Sequence, residues 1–215
     1  MRVLAFDTTA STLSVALLLD DKILSKNTIF ESGKQSELLI PEIEKILHQN
    51  KIWYQDLDLI TTTNGPGSFT GTRIGLTCAR TLKLATNIGL ILVNSCEALA
   101  FKYRQKHKNI FVIIDAKAGD FFYSKNNAKP QLTKLEDLSE ILPKTPFFLC
   151  GSGKKIAAEI LKKENVKFEM DETEDEIEAN EIGLLAQEKF KKDGKYSENL
   201  DPIYLRNPRI SERKK

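Results

Sequence analysis

From Asn64 to Leu76 the chain reads Asn64-Gly65-Pro66-Gly67-Ser68-Phe69-Thr70-Gly71-Thr72-Arg73-Ile74-Gly75-Leu76. A Gly-rich turn that opens a helix can hold an anion, because the first-turn N–H groups have no partner within the helix. Two sharper versions of that chemistry are excluded. No Gly-Lys-Ser/Thr closes the loop, so it is not a Walker A motif. Pro66 stands where a nucleophile elbow needs its first glycine, and Ser68 has no evident base. A plain strand–turn–helix connection is the competing reading. Metal chemistry has little to draw on, since the histidines are His48 and His107 alone. Neither has a ligand partner at helical spacing, so no metal centre is expected.

The elements that position this loop follow from periodicity. Residues 57–63 read as a strand, and Ile74, Cys78, Leu82 and Ala85 recur at helical spacing after it, predicting a helix over 70–87. Ser68 or Thr70 can cap that helix. Gly71, Gly75 and Ala79 fall four apart and form a stripe of small side chains that lets another backbone come close. Upstream, 2–7, 13–19 and 22–29 read as three strands. An amphipathic helix follows over 36–49, with Leu39, Ile40, Ile43, Ile46 and Leu47 on one side. Pro41 requires that helix to start late or to bend. A strand at 90–93 and a helix at 95–104 close the first half.

The second half partly repeats the first. Residues 110–115 form an apolar run ending in Asp115, as 2–7 ends in Asp7 about half a chain earlier. A return strand at 120–124, a short helix at 134–142, a strand at 146–150, a helix at 154–163, a short strand at 166–169 and a helix at 180–191 follow. Its third strand and first helix are hard to place, so the second half reads as degraded. Three strands, then helix–strand–helix–strand–helix, given twice, is the element order of the actin-like ATPase fold. The expected architecture is therefore a two-lobed α/β protein, each lobe a mixed sheet flanked by helices. The polar run 105–109 divides a lobe over 1–105 from a lobe over 106–215 that ends in a basic tail.

Of the 215 residues, 41% are hydrophobic and the net charge is +2, enough for a core and without the concentrated basic charge of a stand-alone nucleic-acid binder. The acidic run from Glu169 to Glu178 reads as a solvated loop. Cys78, Cys96 and Cys150 are widely spaced and read as buried free thiols. No signal-peptide pattern opens the chain and no stretch is long enough to cross a bilayer, so a cytoplasmic protein is expected.

The Gly65–Gly71 core resembles the signature of the TsaB (YeaZ) family. The resemblance extends over most of the chain through Phe6-Asp7-Thr8-Thr9, Leu39-Ile40-Pro41, Asp115-Ala116-Lys117-Ala118-Gly119 and Pro202-Ile203-Tyr204-Leu205-Arg206. It implies the actin-like (ASKHA, RNase H-like) fold. It also implies a non-catalytic scaffold that activates a TsaD-like enzyme, which moves a threonylcarbamoyl group to the N6 of an anticodon-loop adenosine in tRNA. A TsaE-like ATPase is the expected third member, and tRNA is expected to be met only through the complex. The catalytic relative binds its metal with paired histidines on a helix, which this chain lacks. Family members commonly carry His-Ser before Leu-Leu-Pro, where this chain has Gln35-Ser36.

Two candidate sites follow from the resemblance. The helices containing Leu39, Ile40 and Ile43, and Gly71, Ile74, Gly75, Leu76 and Ala79, are the expected partner surface, and the same helices can make a homodimer. Asp7, Thr8 and Thr9 facing Asp115 and Gly119 outline a vestigial nucleotide cleft. No cofactor is expected on this chain alone, with ATP a candidate ligand of the complex. The alternative is a small actin-like ATP-dependent phosphotransferase using Asp7 and Asp115.

Overall fold

The computed structural model describes residues 1–206. The expected basic tail therefore falls, beyond Arg206, on residues 207–215, outside the described residues. The first half contributes β1 (Arg2–Asp7), β2 (Leu13–Leu19), β3 (Lys22–Ile29), α1 (Gln35–Gln49), β4 (Leu59–Thr63), α2 (Phe69–Thr86), β5 (Gly89–Val93) and α3 (Ser95–Tyr103). The second contributes β6 (Ile110–Asp115), β7 (Asp120–Lys125), β8 (Gln131–Lys134), β9 (Phe147–Cys150), α4 (Lys154–Lys163), β10 (Phe168–Glu169) and α5 (Ala179–Asp193). The sheets are ordered β3-β2-β1-β4-β5 and β8-β7-β6-β9-β10, the same topology twice. In each, two antiparallel hairpins flank one side of the central strand and parallel strands the other.

The repeat is degraded where α1 should recur. The segment expected as a helix over 134–142 ends β8 at Lys134 and then forms a 3-10 turn, Leu138–Ile141. Its leucines have helical spacing, but Leu138 alone is fully buried against the second sheet's outer core, so one turn satisfies the pattern. Helix α1 runs through Pro41 rather than starting after it. Proline removes the bond to the carbonyl of Glu37, and both residues are exposed, where water can replace it.

Three cores hold the layers. Leu4, Phe6, Val15 and Leu17 of the first sheet pack under α1 and α2 through Leu39, Ile43, Leu76 and Ala79. Phe111, Ile113 and Leu149 of the second sheet pack under α4 through Ala157 and Leu161. Between the sheets lie α3 and α5, with Val3, Ala5 and Leu18 from one side and Val112, Ile114 and Cys150 from the other. Helix α3, from the first half of the sequence, packs on β6, whereas α5, from the second, packs on β1 and β2. Each half thus lends its last helix to the interface. Cys96 and Cys150 are buried free thiols and Cys78 a half-buried one, with burial pushing Cys78 up to about 12. Among the described residues no helix is long and apolar enough to cross a membrane.

Candidate functional site

Parallel pairing of β1 with β4 brings Asp7 and Thr63 together at the carboxyl ends of the strands. Asp7 is fully buried. Its carboxylate accepts from the Thr9 backbone N–H (3.1 Å), the Thr9 hydroxyl (2.7 Å), the Ala10 N–H (3.3 Å) and the Thr63 hydroxyl. Since the Thr9 hydroxyl spends its proton on Asp7, Ser95 Oγ, 3.2 Å away, is the donor to Thr9. Burial pushes the Asp7 carboxyl above its ordinary range, and the Thr63 and Thr9 bonds oppose that shift.

The Gly-Pro-Gly loop is seated on this hairpin. Ser68 N–H donates to the Thr9 carbonyl (2.8 Å), and Thr8 Oγ1 donates to the Gly71 carbonyl (2.7 Å). Ser68, not Thr70, caps α2 by accepting from Gly71 N–H at 3.1 Å. A Cβ on Gly67 would lie 2.7 Å from the Thr9 carbonyl oxygen, and one on Gly71 2.9 Å from the Thr8 carbonyl carbon. Gln35, at the position of the common family histidine, is buried and donates to the carbonyls of Ala10 (3.4 Å) and Ser11 (3.3 Å). The imidazole's place is thus taken by an amide that ties α1 to the hairpin.

The second hairpin is more open. Asp115 accepts from Lys117 N–H (2.7 Å) and Lys117 Nζ (2.9 Å), and its own N–H donates to Ser152 Oγ (3.1 Å). Gly119 has φ +82° and open space around it. Gly151, at φ +104°, repeats Gly65 at φ +91°; each follows the parallel strand of its sheet and requires a backbone that favours glycine. Beneath Gly151 lies a buried ion pair, Lys154 to Asp175 at 2.7 Å. Asp175 also accepts from Gly151 N–H (2.8 Å) and the Tyr103 hydroxyl. That pair corrects the reading of 169–178 as wholly solvated: 171–174 are exposed, but Asp175 and Ile177 are anchored inside. Nothing local in the sequence links Lys154 to an aspartate in the loop beyond β10.

The last described segment joins the Gly-Pro-Gly loop to the second hairpin. Ile203 N–H donates to the Asn64 carbonyl (2.8 Å), and Tyr204 packs on Phe69 with ring centres 5.1 Å apart. Arg206 then donates to the Ala116 carbonyl (2.9 Å) and to Asp120 (3.0 Å). The sequence motif at 202–206 therefore acts as a strap from the Gly-Pro-Gly loop to the second hairpin. Among the described residues no group of His, Cys, Asp and Glu could hold a metal ion.

The expected partner surface needs correction. Leu39, Ile43, Leu76 and Ala79 are buried in the outer core, as are Gly71 and Gly75 beneath α2. A Cβ on Gly75 would lie 2.7 Å from Thr8 Oγ1 and 3.1 Å from Thr62 Oγ1. The small-residue stripe thus lets α2 approach the first hairpin, not another protein. Ile40 is exposed (42%) and Ile74 half-buried. The two helices also expose Leu84 (88%), and Trp53 (71%) follows α1.

Two lobes of repeated topology, with an aspartate-bearing hairpin in each, define the actin-like class. Solved structures agree on the fold. A Pseudomonas aeruginosa protein described as uncharacterized with similarity to peptidase YEAZ superposes with a TM-score of 0.81 at 20% identity, covering 95% of this chain and 99% of that one. YeaZ from the same organism gives 0.78 at 21%. The family model described as TsaD, tRNA N6-adenosine threonylcarbamoyltransferase, matches residues 31–208. A Buchnera aphidicola protein named tRNA threonylcarbamoyladenosine biosynthesis protein TsaB is 31% identical over 78% of this chain and 84% of its own length. A Bacillus subtilis protein of that name is 35% identical over 57% of this chain, a match spanning 53% of the Bacillus protein. The chain belongs to the TsaB (YeaZ) family.

Proposed function

We propose that this chain is the non-catalytic subunit of a complex that transfers a threonylcarbamoyl group to N6 of an anticodon-loop adenosine in tRNA. It acts by docking on a TsaD-like catalytic subunit, with a TsaE-like ATPase as third member. The observation that carries the non-catalytic reading is the closed first hairpin. Asp7 is sealed, and the N–H groups of Thr9, Ala10 and Ser68, which could otherwise hold phosphate, are spent on partners within the chain. That same closure disfavours a phosphotransferase using Asp7 and Asp115, and it supports assigning ATP to the complex rather than to this chain.

Docking is assigned to the outward side of α1 and α2, where Ile40, Ile74 and Leu84 lie. Large apolar side chains left exposed on neighbouring helices mark protein contacts. The same side can pair two copies of this chain when the partner is absent. Size and affinity measurements after mixing with a TsaD-like protein test the assignment, using Ile40→Asp and Leu84→Asp. Both variants should melt as the wild type does and lose partner affinity at least about tenfold, since interface anchors are worth 2 kcal/mol or more. Wild-type affinity in both would place the contact elsewhere.

A further inference from the structure

We propose that Phe69, Arg73 and Tyr204 form a platform on which unpaired nucleotides of an RNA stack. The guanidinium carbon of Arg73 lies 3.8 Å from the centre of the Phe69 ring and 5.8 Å from that of Tyr204. Arg73 Nε donates to the Tyr204 hydroxyl at 2.9 Å, which holds the guanidinium over the Phe69 ring and at the hydroxyl edge of Tyr204, beside the two rings in contact. Tyr204 is 46% exposed and Arg73 is exposed, so one aromatic face and one cationic plane are presented to solvent. Bases stack on both kinds of surface.

The charge on Arg73 separates this cluster from ordinary strap packing. Arg80 is paired with Asp201, Arg104 with Glu188 and Arg206 with Asp120. Arg73 faces no carboxylate among the described residues. The strap that carries Tyr204 continues in sequence toward Arg209, Arg213, Lys214 and Lys215, against Glu212 alone, all outside the described residues. An aromatic step with a guanidinium that faces no carboxylate among the described residues suits a phosphate-bearing strand better than a protein groove. On α2 Phe69, Arg73 and Arg80 recur at helical spacing on the strap flank, and Leu84, four residues beyond Arg80, continues that stripe, so the platform borders the docking side.

The inference rests on the proposed function only for the identity of the RNA, a tRNA loop brought by the complex. It can be tested on the full chain alone, with a fluorescein-labelled, unstructured RNA of about 12 nucleotides, a length typical of single-strand sites, followed by anisotropy. Binding should be detectable at about 50 mM salt and weaken steeply toward about 200 mM. Tyr204→Ala and Arg73→Ala should each weaken it roughly tenfold, the loss expected for one stacked base. Tyr204→Phe, which keeps the ring, should bind within about twofold of wild type. A purely structural role would lower the melting temperature of the alanine variants and leave RNA affinity unchanged in the folded fraction. That result would overturn the inference, as would no binding at low salt. Mg-ATP binding as tightly as the strand would point to a mononucleotide pocket and overturn it too. Loss of TsaD-like partner affinity in Tyr204→Ala and Arg73→Ala would reassign the platform to protein contact. No arm of the RNA measurement requires the partner, so failure of docking and failure of RNA stacking are read separately.

Discussion

Gly71→Ala should destabilise the protein, against the ordinary rule for helices. Within a helix, replacing glycine by alanine gains about 1 kcal/mol. At Gly71 the new methyl would lie 2.9 Å from the Thr8 carbonyl carbon, nearer still to its oxygen, and 3.2 Å from Ser68 Cβ. The obstacle is backbone, so the first turn of α2 or the hairpin must move by roughly an ångström. Forced insertion of that kind typically costs about 1–3 kcal/mol and occasionally more. The movement also strains the buried bond from Thr8 Oγ1 to the Gly71 carbonyl, 2.7 Å long. Losing it adds about 1 kcal/mol. The propensity gain roughly cancels the hydrogen-bond loss, leaving a net loss of about 1–3 kcal/mol. For a chain of this size that is a fall of roughly 2–12 °C in melting temperature. Urea unfolding of Gly71→Ala, beside Thr77→Ala on the exposed side of the same helix, makes the comparison. Thr77→Ala should stay within about 0.5 kcal/mol of wild type. A Gly71→Ala protein as stable as wild type, or more so, would refute the close-approach argument.

The Lys154–Asp175 pair is buried on both sides, so Asp175→Ala, which strands the ammonium, should cost about 3–5 kcal/mol in chemical denaturation. The double variant Asp175→Ala with Lys154→Met should recover much of that loss, and a double variant no better than the single one would contradict the pairing. Glu181 is raised from 4.5 to about 7, first by burial and then by Glu178, against Lys102 and Lys26. A carboxyl whose folded pKa is raised binds its proton more tightly when folded. Its contribution is therefore complete below pH 4.5 and lost as pH rises to about 7. Glu181→Gln should consequently gain on wild type across that window, by of the order of 2 kcal/mol at neutral pH. Parallel stability–pH curves for the two proteins would argue against it.

Much of the fold was legible because the two halves carry the same local signals. Apolar runs ending in an aspartate marked β1 and β6, and apolar residues at helical spacing marked α1 and α2. The short helix expected over 134–142 failed because Leu135, Leu138 and Ile141 have helical spacing whether one turn or three are formed. The site was less legible. Gly71, Gly75 and Ala79 announced a close approach, but spacing cannot say what approaches. The answer was Thr8, 63 positions back from Gly71, which only the β1–β4 pairing brings near. Asp7 was named, yet its enclosure depends on Thr63 and Ser95, contributed by β4 and α3. Asp175 was hidden in a run of carboxylates whose neighbours are solvated, because one buried acid among exposed ones leaves no compositional trace.

The central claim is that this chain activates a catalytic partner without doing the chemistry itself. Its most direct test is formation of threonylcarbamoyladenosine on tRNA from threonylcarbamoyl-adenylate, with zinc or iron present. The reaction would be run with this chain alone, with a TsaD-like protein alone, with both, and with Ile40→Asp in place of wild type. The account predicts multiple turnovers only when both proteins are present, and a large loss with Ile40→Asp. Sustained product from this chain alone, or a TsaD-like protein indifferent to its presence, would contradict it.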